Sequence, residues 1–309
     1  MAPRQQPSGT PDGDNDFTVL ICTRERQEML AHALDALARS TSRRFPVVVV
    51  DHSRALDEQL ARRAAAAPDL LVLRDEGGTG LSRARNLAMP HIATEWVVLL
   101  DDDCSFEPGW VEALEAAWRL HPQVDLIAGN LEGHAPDEGD YLLVTTFKVA
   151  EERLRSGRWT PPADIGFTAC CAIRRSTIER LAGWDERLGA GAPVFPASED
   201  MDFNYRFLIS GGVALATPQV QVHHHQWRTS DDLGSHFLGY MKGWSGFSMK
   251  QLRGGDVLGG CWLWSIGALD VSRMFASALR RRSRFRLRVA LDKLRGLVSG
   301  TLKGLTYPW

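Results

Sequence analysis

Three consecutive carboxylates, Asp101, Asp102 and Asp103, are the residues whose spacing points most directly to chemistry. They follow the apolar run 96–100, which is typical of a strand buried on both faces. Adjacent carboxylates repel one another and lose hydration at such a place, so a cation is needed to neutralise them. Oxygen ligands at a strand end suit Mg²⁺ or Mn²⁺, usually shared with substrate phosphates. An acidic turn before a helix at Glu107-Pro108 is the simpler alternative.

Other polar groups stand where predicted elements begin or end. Thr23 and Asp51 each follow a short apolar run, and Arg85 lies in a helix that follows the glycine-rich loop 77–80. In open α/β sheets the ligand crevice lies at the carboxyl ends of the strands. Thr23 and Asp51 are therefore predicted to gather with the acidic triplet in one crevice.

Glu199 and Asp200 begin a helix whose inner face carries Phe203 and Phe207. Two acids at this position could do acid–base chemistry. Acids in a first turn are also favoured by the helix dipole, so simple capping is the structural alternative.

Three histidines, His223 to His225, follow a short predicted strand. Successive side chains of a strand point to opposite faces. If Val220 and Val222 face inward, His224 lies on their side and the other two histidines on the opposite side. A surface histidine cluster is the alternative for those two.

The elements that must position these groups alternate as strand, loop and helix over about the first 120 residues. This alternation predicts an α/β fold with a mostly parallel sheet covered by helices on both faces. The predicted strands span 17–22, 47–51, 70–73, 96–103, 166–173, 213–216 and 219–222.

Composition and charge limit the classes of function. The chain has 309 residues, 44% of them apolar, and a formal net charge of −2, so it has no global attraction to nucleic acid. Residues 280–309 nevertheless carry nine Lys or Arg against one acid, Asp292. A basic amphipathic helix there could lie on anionic lipid, or it could cap the core with a solvated rim.

The chain is predicted to divide into three parts. Residues 1–16 are rich in Pro, Gly and Asp without an apolar stretch, which indicates a disordered lead-in rather than a signal peptide. Residues 17–230 form the α/β domain, and 231–309 a helical, basic extension. Five cysteines without a CxxC pair indicate a reducing cytosol, with no disulfide framework or zinc site.

Taken in order, these motifs resemble a family 2 glycosyltransferase of the GT-A fold. The resemblance covers roughly residues 17–230. A DxD triplet alone occurs by chance in many chains, whereas the ordered set is far more specific. The motifs are Thr-Arg-Glu-Arg at 23–26, Val-Val-Val-Asp at 48–51, Gly-Leu-Ser-Arg-Ala-Arg-Asn at 80–86, Leu-Leu-Asp-Asp-Asp at 99–103, Gly-Trp-Asp-Glu at 183–186 and Ser-Glu-Asp-Met-Asp at 198–202.

The resemblance implies a nucleotide-diphosphate sugar as donor and Mn²⁺ or Mg²⁺ as cofactor. Asp101 and Asp103 would hold the metal and diphosphate, with Asp103 as the direct ligand, and Asp102 would lie near the ribose. His224 would be an additional metal ligand. Asp51 would accept a hydrogen bond from the base.

The same resemblance assigns the remaining site residues. The loop of Thr23, Arg24 and Glu25 would cup the base, with Arg24 standing where relatives carry an aromatic residue. Arg85 would pair with diphosphate or, alternatively, form a structural salt bridge. Asp200 would deprotonate the acceptor hydroxyl in an inverting reaction, and Glu199 would support it. Asp202 is expected to be structural.

Family members of this type act on a hydroxyl acceptor, which here could be a glycan, a lipid-linked molecule or a small molecule. The Gln-x-x-Arg-Trp motif of processive relatives does not occur at 226–228, so single sugar addition is expected. The expected location is the cytoplasm, with the inner face of the membrane as the alternative. Alternative functions are a sugar-nucleotide pyrophosphorylase and a non-catalytic nucleotide-sugar-binding protein. The loop after the first strand lacks the glycines that a pyrophosphorylase would need.

Overall fold

The computed structural model describes residues 16–41, 44–55, 57–75, 77–134, 141–143, 145–225, 227–229 and 233–309. Residues 1–15 of the predicted lead-in, and Gln226 of the segment compared with the processive motif, lie outside these ranges.

Eleven strands and nine α-helices are assigned within the described ranges. The strands are β1 (Phe17–Thr23), β2 (Val47–Asp51), β3 (Leu70–Arg74), β4 (Trp96–Asp101), β5 (Cys104–Phe106), β6 (Leu126–Gly133), β7 (Tyr141–Leu143), β8 (Arg153–Ser156), β9 (Cys170–Arg174), β10 (Val213–His224) and β11 (Trp227–Thr229). The helices are α1 (Gln27–Ser40), α2 (Glu58–Ala66), α3 (Leu81–Ala88), α4 (Trp110–Leu120), α5 (Arg175–Arg180), α6 (Glu199–Ile209), α7 (Leu233–Arg253), α8 (Val257–Arg280) and α9 (Arg284–Thr306).

The main sheet has the strand order β3-β2-β1-β4-β9-β6-β10-β5, with β8 also paired to β10. Strands β1 to β4 are parallel, as the alternating pattern predicts. Strand β9 runs antiparallel to both β4 and β6, and β10 runs parallel to β6. The sheet is therefore mixed, and its parallel half carries the first strand ends of the predicted crevice.

The central strands are buried on both faces because their side chains alternate between two apolar clusters. Val19 and Val98 lie in the cluster that contains α1 and α4 residues. Leu20 and Leu99 lie in the opposite cluster, which contains residues of α3 and α6. Helix α6 joins this second cluster through Phe203, whose ring stacks on Trp184 with centroids 5.0 Å apart. The core thereby fixes the helix that begins with Glu199 and Asp200.

Helices α7, α8 and α9 form the C-terminal region. Helix α9 approaches α7 closely through Gly296, Gly300 and Gly304, which recur every four residues on one face. Because glycine has no Cβ, the two backbones can approach within direct contact. Among the described residues, no helix combines the length and apolar character that crossing a membrane requires.

We expect Gly300→Ala to destabilise the protein by about 1–3 kcal/mol, the usual cost of overpacking a tight contact. An added Cβ would lie 2.1 Å from Ser245 Oγ and 2.3 Å from the Lys242 carbonyl oxygen. The matched control is Gly239→Ala on α7, where the Cβ would meet only Pro196 at an ordinary 3.5 Å. That change should stabilise the helix by about 0.5–1 kcal/mol. The free energy of unfolding of both variants is measured by urea denaturation. Equal changes in the two variants would contradict the close packing of α9 on α7.

Candidate active site

Parallel pairing brings the predicted strand-end residues to one edge of the sheet. Thr23 lies opposite Asp51 in the β1–β2 ladder, and Cys22 lies opposite Asp101 in the β1–β4 ladder. The chain turns at Asp102 and Asp103, so β4 ends two residues earlier than the sequence indicated. The Thr23 hydroxyl donates a hydrogen bond of 2.7 Å to Asp102 Oδ2.

A long-range strand pairing places His224 beside the acidic triplet. The short strand β5 pairs antiparallel with β10, and Cys104 lies opposite His224 in that register. The backbone N–H of His225 donates to the Asp103 carbonyl oxygen at 2.8 Å. His224 is buried on the same side of β10 as Val220 and Val222. Its imidazole is thereby held against the carboxylate of Asp103.

Two buried polar atoms at this point have no hydrogen-bond partner. Asp103 Oδ1 and His224 Nε2 lie 3.0 Å apart, yet neither has a hydrogen bond of acceptable geometry. Asp101 Oδ2 lies 3.7 Å from the same nitrogen. Two carboxylates and an imidazole are a donor set that Mn²⁺ accepts. These residues therefore fit a divalent cation.

Cys104 lies within the same group of possible ligands, since its sulfur is near the Asp103 and His224 atoms. Burial raises the pKa of this thiol well above its usual value. The thiol points to the Ala169 carbonyl oxygen, 3.7 Å away. A protonated thiol is a weak ligand, so the hard oxygen donors dominate the site.

The pKa values of the carboxylates in the triplet are shifted in different directions. Burial, reinforced by the charge of Asp103, raises the pKa of Asp101 to about 6. The pKa of Asp103 is lowered because His224 and Arg26 outweigh its burial. Burial also raises the pKa of Asp102, against the opposing effect of Arg26. Crowded acids of this kind are stabilised by an added positive charge.

Arg26 supplies part of that charge, and sequence reasoning missed it. Its Nη1 atom donates to Asp102 Oδ1 and to Asp103 Oδ2, both at 2.9 Å. Its side chain is 37% exposed. Its position directly after Thr23-Arg24-Glu25 was the only hint in the sequence, and basic residues are common in polar loops. Only the fold shows that its side chain contacts Asp102 and Asp103.

The loop after β1 is tied to the loop after β2. The backbone N–H of Glu25 donates to Ser53 Oγ at 2.7 Å, and Glu25 Oε1 accepts from the Arg54 N–H at 2.9 Å. Asp51 is buried and accepts from the Ser53 N–H at 2.8 Å. Arg24 is exposed. These loops flank the strand ends at one edge of the sheet.

His52 directly follows Asp51 at the end of β2. It is buried, and its Nε2 atom lies 3.4 Å from Asp75 Oδ2. Burial lowers the pKa of His52. Asp75 is in turn held by Arg83, whose Nε donates to it at 2.5 Å. This arrangement joins the loops after β2 and β3, a connection that no local sequence pattern signalled.

Arg85 joins the strand ends to the beginning of α6. The side chain is buried, and its Nη2 atom donates to Thr168 Oγ1 at 2.8 Å. Its Nη1 atom lies 3.7 Å from Glu199 Oε1 and has no hydrogen bond. The guanidinium also lies over the Trp184 ring, 5.6 Å from its centroid. Arg85 is thus paired with a carboxylate and still has a free donor.

Asp200 lies next to this arginine at the beginning of α6. It is half-buried, and its Oδ1 accepts from the Met201 N–H at 2.8 Å. Burial, followed by the charge of Glu199, raises the pKa of Asp200 to about 7. The charge of Arg85 lowers the pKa of both Asp200 and Asp101 and so favours their charged forms. The charge of Asp101 in turn raises the pKa of Asp200. The two acidic groups, 99 residues apart in the chain, therefore share one electrostatic environment.

Asp202, two residues further along α6, has a different environment. It is fully buried and accepts hydrogen bonds from Arg206 Nε at 2.8 Å and from Lys250 Nζ at 2.7 Å. Gln251 donates a third at 3.1 Å. The bonds from Lys250 and Gln251 connect α6 to α7.

The mixed sheet, the acidic strand end and the helix that begins with two acids together define a GT-A glycosyltransferase fold. Solved structures support this. A mannosyltransferase from Pyrobaculum calidifontis in complex with GDP-Man and Mn²⁺ superposes with a TM-score of 0.61 at 16% identity, covering 95% of this chain and 88% of the other. S. aureus TarS 1-349 in complex with UDP-GlcNAc also gives 0.61 at 15% identity, covering 94% and 81%.

Residues 18–182 match the sequence profile of glycosyl transferase family 2, which is more than half of the chain. The chain belongs to this family, which confirms the assignment and the enzyme class predicted from the motifs. It is 27% identical over 235 residues to the pre-mycofactocin glycosyltransferase of Mycobacterium tuberculosis. The match covers 74% of this chain and 46% of that relative, so the chain spans about half of the relative's length.

Proposed function

We propose that this protein is a metal-dependent, inverting glycosyltransferase that moves one sugar from a nucleotide-diphosphate sugar to a hydroxyl acceptor without processivity. The observation that carries the proposal is the buried Asp103–His224 pair beside Asp101, whose two facing atoms lie 3.0 Å apart without a hydrogen bond, in one electrostatic environment with Asp200. Structural neighbours bound to GDP-Man with Mn²⁺ and to UDP-GlcNAc support this type of donor.

On the donor side, Thr23, Arg24, Glu25 and Asp51 would bind the nucleoside, since their loops flank the strand ends. Asp102 accepts a hydrogen bond from Thr23 and would lie near the ribose. Asp101, Asp103 and His224 would hold Mn²⁺ or Mg²⁺. When bound, the ion would stabilise the negative charge of the leaving diphosphate as a Lewis acid.

On the acceptor side, Asp200 would take the proton of the attacking hydroxyl. The hydroxyl oxygen bonds to the anomeric carbon from the face opposite the leaving group, and the bond from that carbon to the diphosphate oxygen breaks. Glu199 would hold Arg85 beside the general base, Asp200. The Nη1 atom of Arg85 has no hydrogen bond and is available to a phosphate or carboxylate. A base with a pKa near the operating pH is the most effective.

We also propose the wider context expected from the sequence. Residues 17–230 form the catalytic domain, and 231–309 form an extension that contacts an anionic membrane peripherally. The five cysteines are free, which suits the cytoplasm and the inner face of its membrane. A glycan, a lipid-linked molecule or a small molecule would serve as the acceptor.

The pH profile of transfer should report the raised pKa of Asp200. Because a base must be deprotonated to accept a proton, kcat/KM should rise with pH below about 7 and level off above it. In Glu199→Gln the midpoint should move to lower pH, since the charge of Glu199 helps to raise the Asp200 pKa. A flat profile between pH 5 and 8, shared by both proteins, would exclude Asp200 as the base.

A thermal-shift screen of UDP, GDP and dTDP, each with Mn²⁺ and with EDTA, tests the donor class. One nucleotide is expected to raise Tm in the presence of Mn²⁺ and much less in EDTA, because ligands that bind only the folded state stabilise it. At 100 times Kd the stabilisation would be about 2.7 kcal/mol. If all three leave Tm unchanged with Mn²⁺ present, nucleotide-sugar binding is refuted.

A further inference from the structure

Helix α9 exposes a line of large apolar side chains along its outer face. Each member is between 38% and 62% exposed, although leucine and valine normally favour the interior. The line comprises Leu287, Leu291, Leu294, Val298, Leu302 and Leu305. We call this set the α9 stripe.

The spacing of the α9 stripe is that of one helical face. Its members follow one another by four, three, four, four and three residues, so they lie within about 80° of arc at 3.6 residues per turn. The 18 residues between its ends span about 27 Å. The opposite face carries Gly296, Gly300 and Gly304, which pack on α7. The stripe is therefore a second apolar face, separate from the one that holds the helix in place.

Basic residues border the α9 stripe. Arg284, Arg288 and Arg295 fall along one of its edges at helical spacing and are exposed, and Arg295 also pairs with Asp292 at 3.1 Å. Across residues 280–309, nine Lys or Arg stand against Asp292 alone. Apolar and cationic groups thus occur together on one surface.

Helix α8 extends the apolar surface beside α9. The Trp264 Nε1 donates to Thr301 Oγ1 at 2.9 Å, which links the two helices next to the stripe. Trp264 is itself 36% exposed. The apolar surface beside the stripe therefore includes a residue of a second helix.

We propose that the α9 stripe and its arginine edge dock in the plane of an anionic lipid bilayer. An amphipathic helix of this kind buries its apolar face about 5–10 Å into the boundary between headgroups and acyl chains. The arginines then lie at the level of the lipid phosphates, where each adds attraction that salt weakens.

Charge favours a bilayer over a second copy of the chain as the occupant. Two copies joined through the α9 stripe would bring together two segments that each carry nine basic residues and one acid. Like charges brought close repel one another, whereas anionic lipid neutralises them. Docking through the α9 stripe rests on the peripheral membrane contact proposed above and is independent of which nucleotide sugar is the donor.

Vesicle flotation of the full chain tests this surface. Vesicles of phosphatidylcholine alone are compared with vesicles that contain about 30% phosphatidylglycerol. Wild type should float with the anionic vesicles, and 0.5 M NaCl should reduce binding strongly, because the Debye length falls to a few ångströms. The triple variant Leu291→Gln, Val298→Gln, Leu302→Gln should bind about tenfold less or weaker still.

The matched control replaces exposed leucines outside the C-terminal helices, Leu120→Gln with Leu154→Gln, and should bind as wild type does. Nucleotide-induced thermal shifts of all variants report that the catalytic domain is folded, so a failure of donor binding is seen separately. Wild type that stays unbound with anionic vesicles would overturn the proposal. So would a triple variant that floats normally, or a wild-type dimer that the triple variant converts to monomer without any lipid binding.

Discussion

Asp200→Asn should abolish sugar transfer and leave donor binding unchanged. Asparagine has the same shape and can still accept the Met201 N–H, but it cannot take up the proton of the acceptor hydroxyl. Loss of a positioned base typically costs about 10²–10⁴-fold in rate. Calorimetric titration of the donor beside a turnover assay separates the two effects.

Asp202→Asn on the same helix is the matched control for that result. Asp202 is buried and bonded to Arg206 and Lys250, so its neutralisation weakens charge-assisted hydrogen bonds. The free energy of unfolding should fall by about 1.5–3 kcal/mol. The pH dependence of the remaining transfer should be unchanged. Wild-type turnover by Asp200→Asn, or a shifted pH profile in Asp202→Asn, would show that the roles of the two acids are wrongly assigned.

Asp103→Asn should remove the metal-dependent part of donor binding. The substitution replaces a charged oxygen that faces His224 Nε2 at 3.0 Å. Loss of an outer-shell partner of a metal ligand typically lowers metal affinity by about 10–100-fold. We expect the donor affinity measured in Mn²⁺ to fall by at least this factor. In EDTA, variant and wild type should bind the donor equally weakly. Titrations in the two buffers provide the comparison.

Glu115→Gln is the control for loss of a buried acid elsewhere. Glu115 lies on α4, is 5% exposed and pairs with Arg119. Its replacement should affect donor binding equally with and without Mn²⁺, or not at all. If Asp103→Asn weakens binding by the same factor in Mn²⁺ and in EDTA, its effect comes from folding and not from metal binding.

The parallel half of the sheet could be predicted because its information is local. The runs that form β1, β2 and β4 are apolar, and each ends at or next to a polar residue that the fold brings to one edge. Alternation along β10 likewise predicted which histidine would be buried. In these places one short stretch of sequence determines both the element and the direction of its side chains.

The pairing of strands that are distant in the chain could not be predicted from local sequence patterns. Pro218 divides the run that was expected to form two strands, because proline cannot donate to a ladder. The structure has one strand, β10, with a register shift between Thr217 and Gln221 that accommodates the proline. Strand β5 is only three residues long, yet its pairing with β10 brings Cys104 and the neighbouring Asp103 to His224.

Side-chain contacts between loops that are distant in the chain also could not be predicted from local sequence patterns. Arg26 contacts Asp102 and Asp103 from 76 and 77 residues away. Arg85 was assigned either to diphosphate or to a salt bridge, and the fold gives it Thr168 and Glu199 as neighbours. Contacts of this kind depend on which loops meet, and no spacing within one segment records that.

The most direct test of the account is a crystal of the protein grown with Mn²⁺ and a nucleoside diphosphate, measured for anomalous scattering from manganese. We predict one anomalous peak within bonding distance of Asp103 Oδ1 and His224 Nε2, with the diphosphate beside it and the Asp200 carboxylate in the same cavity. A nucleotide bound with manganese elsewhere, or with Asp200 facing a different surface, would contradict it.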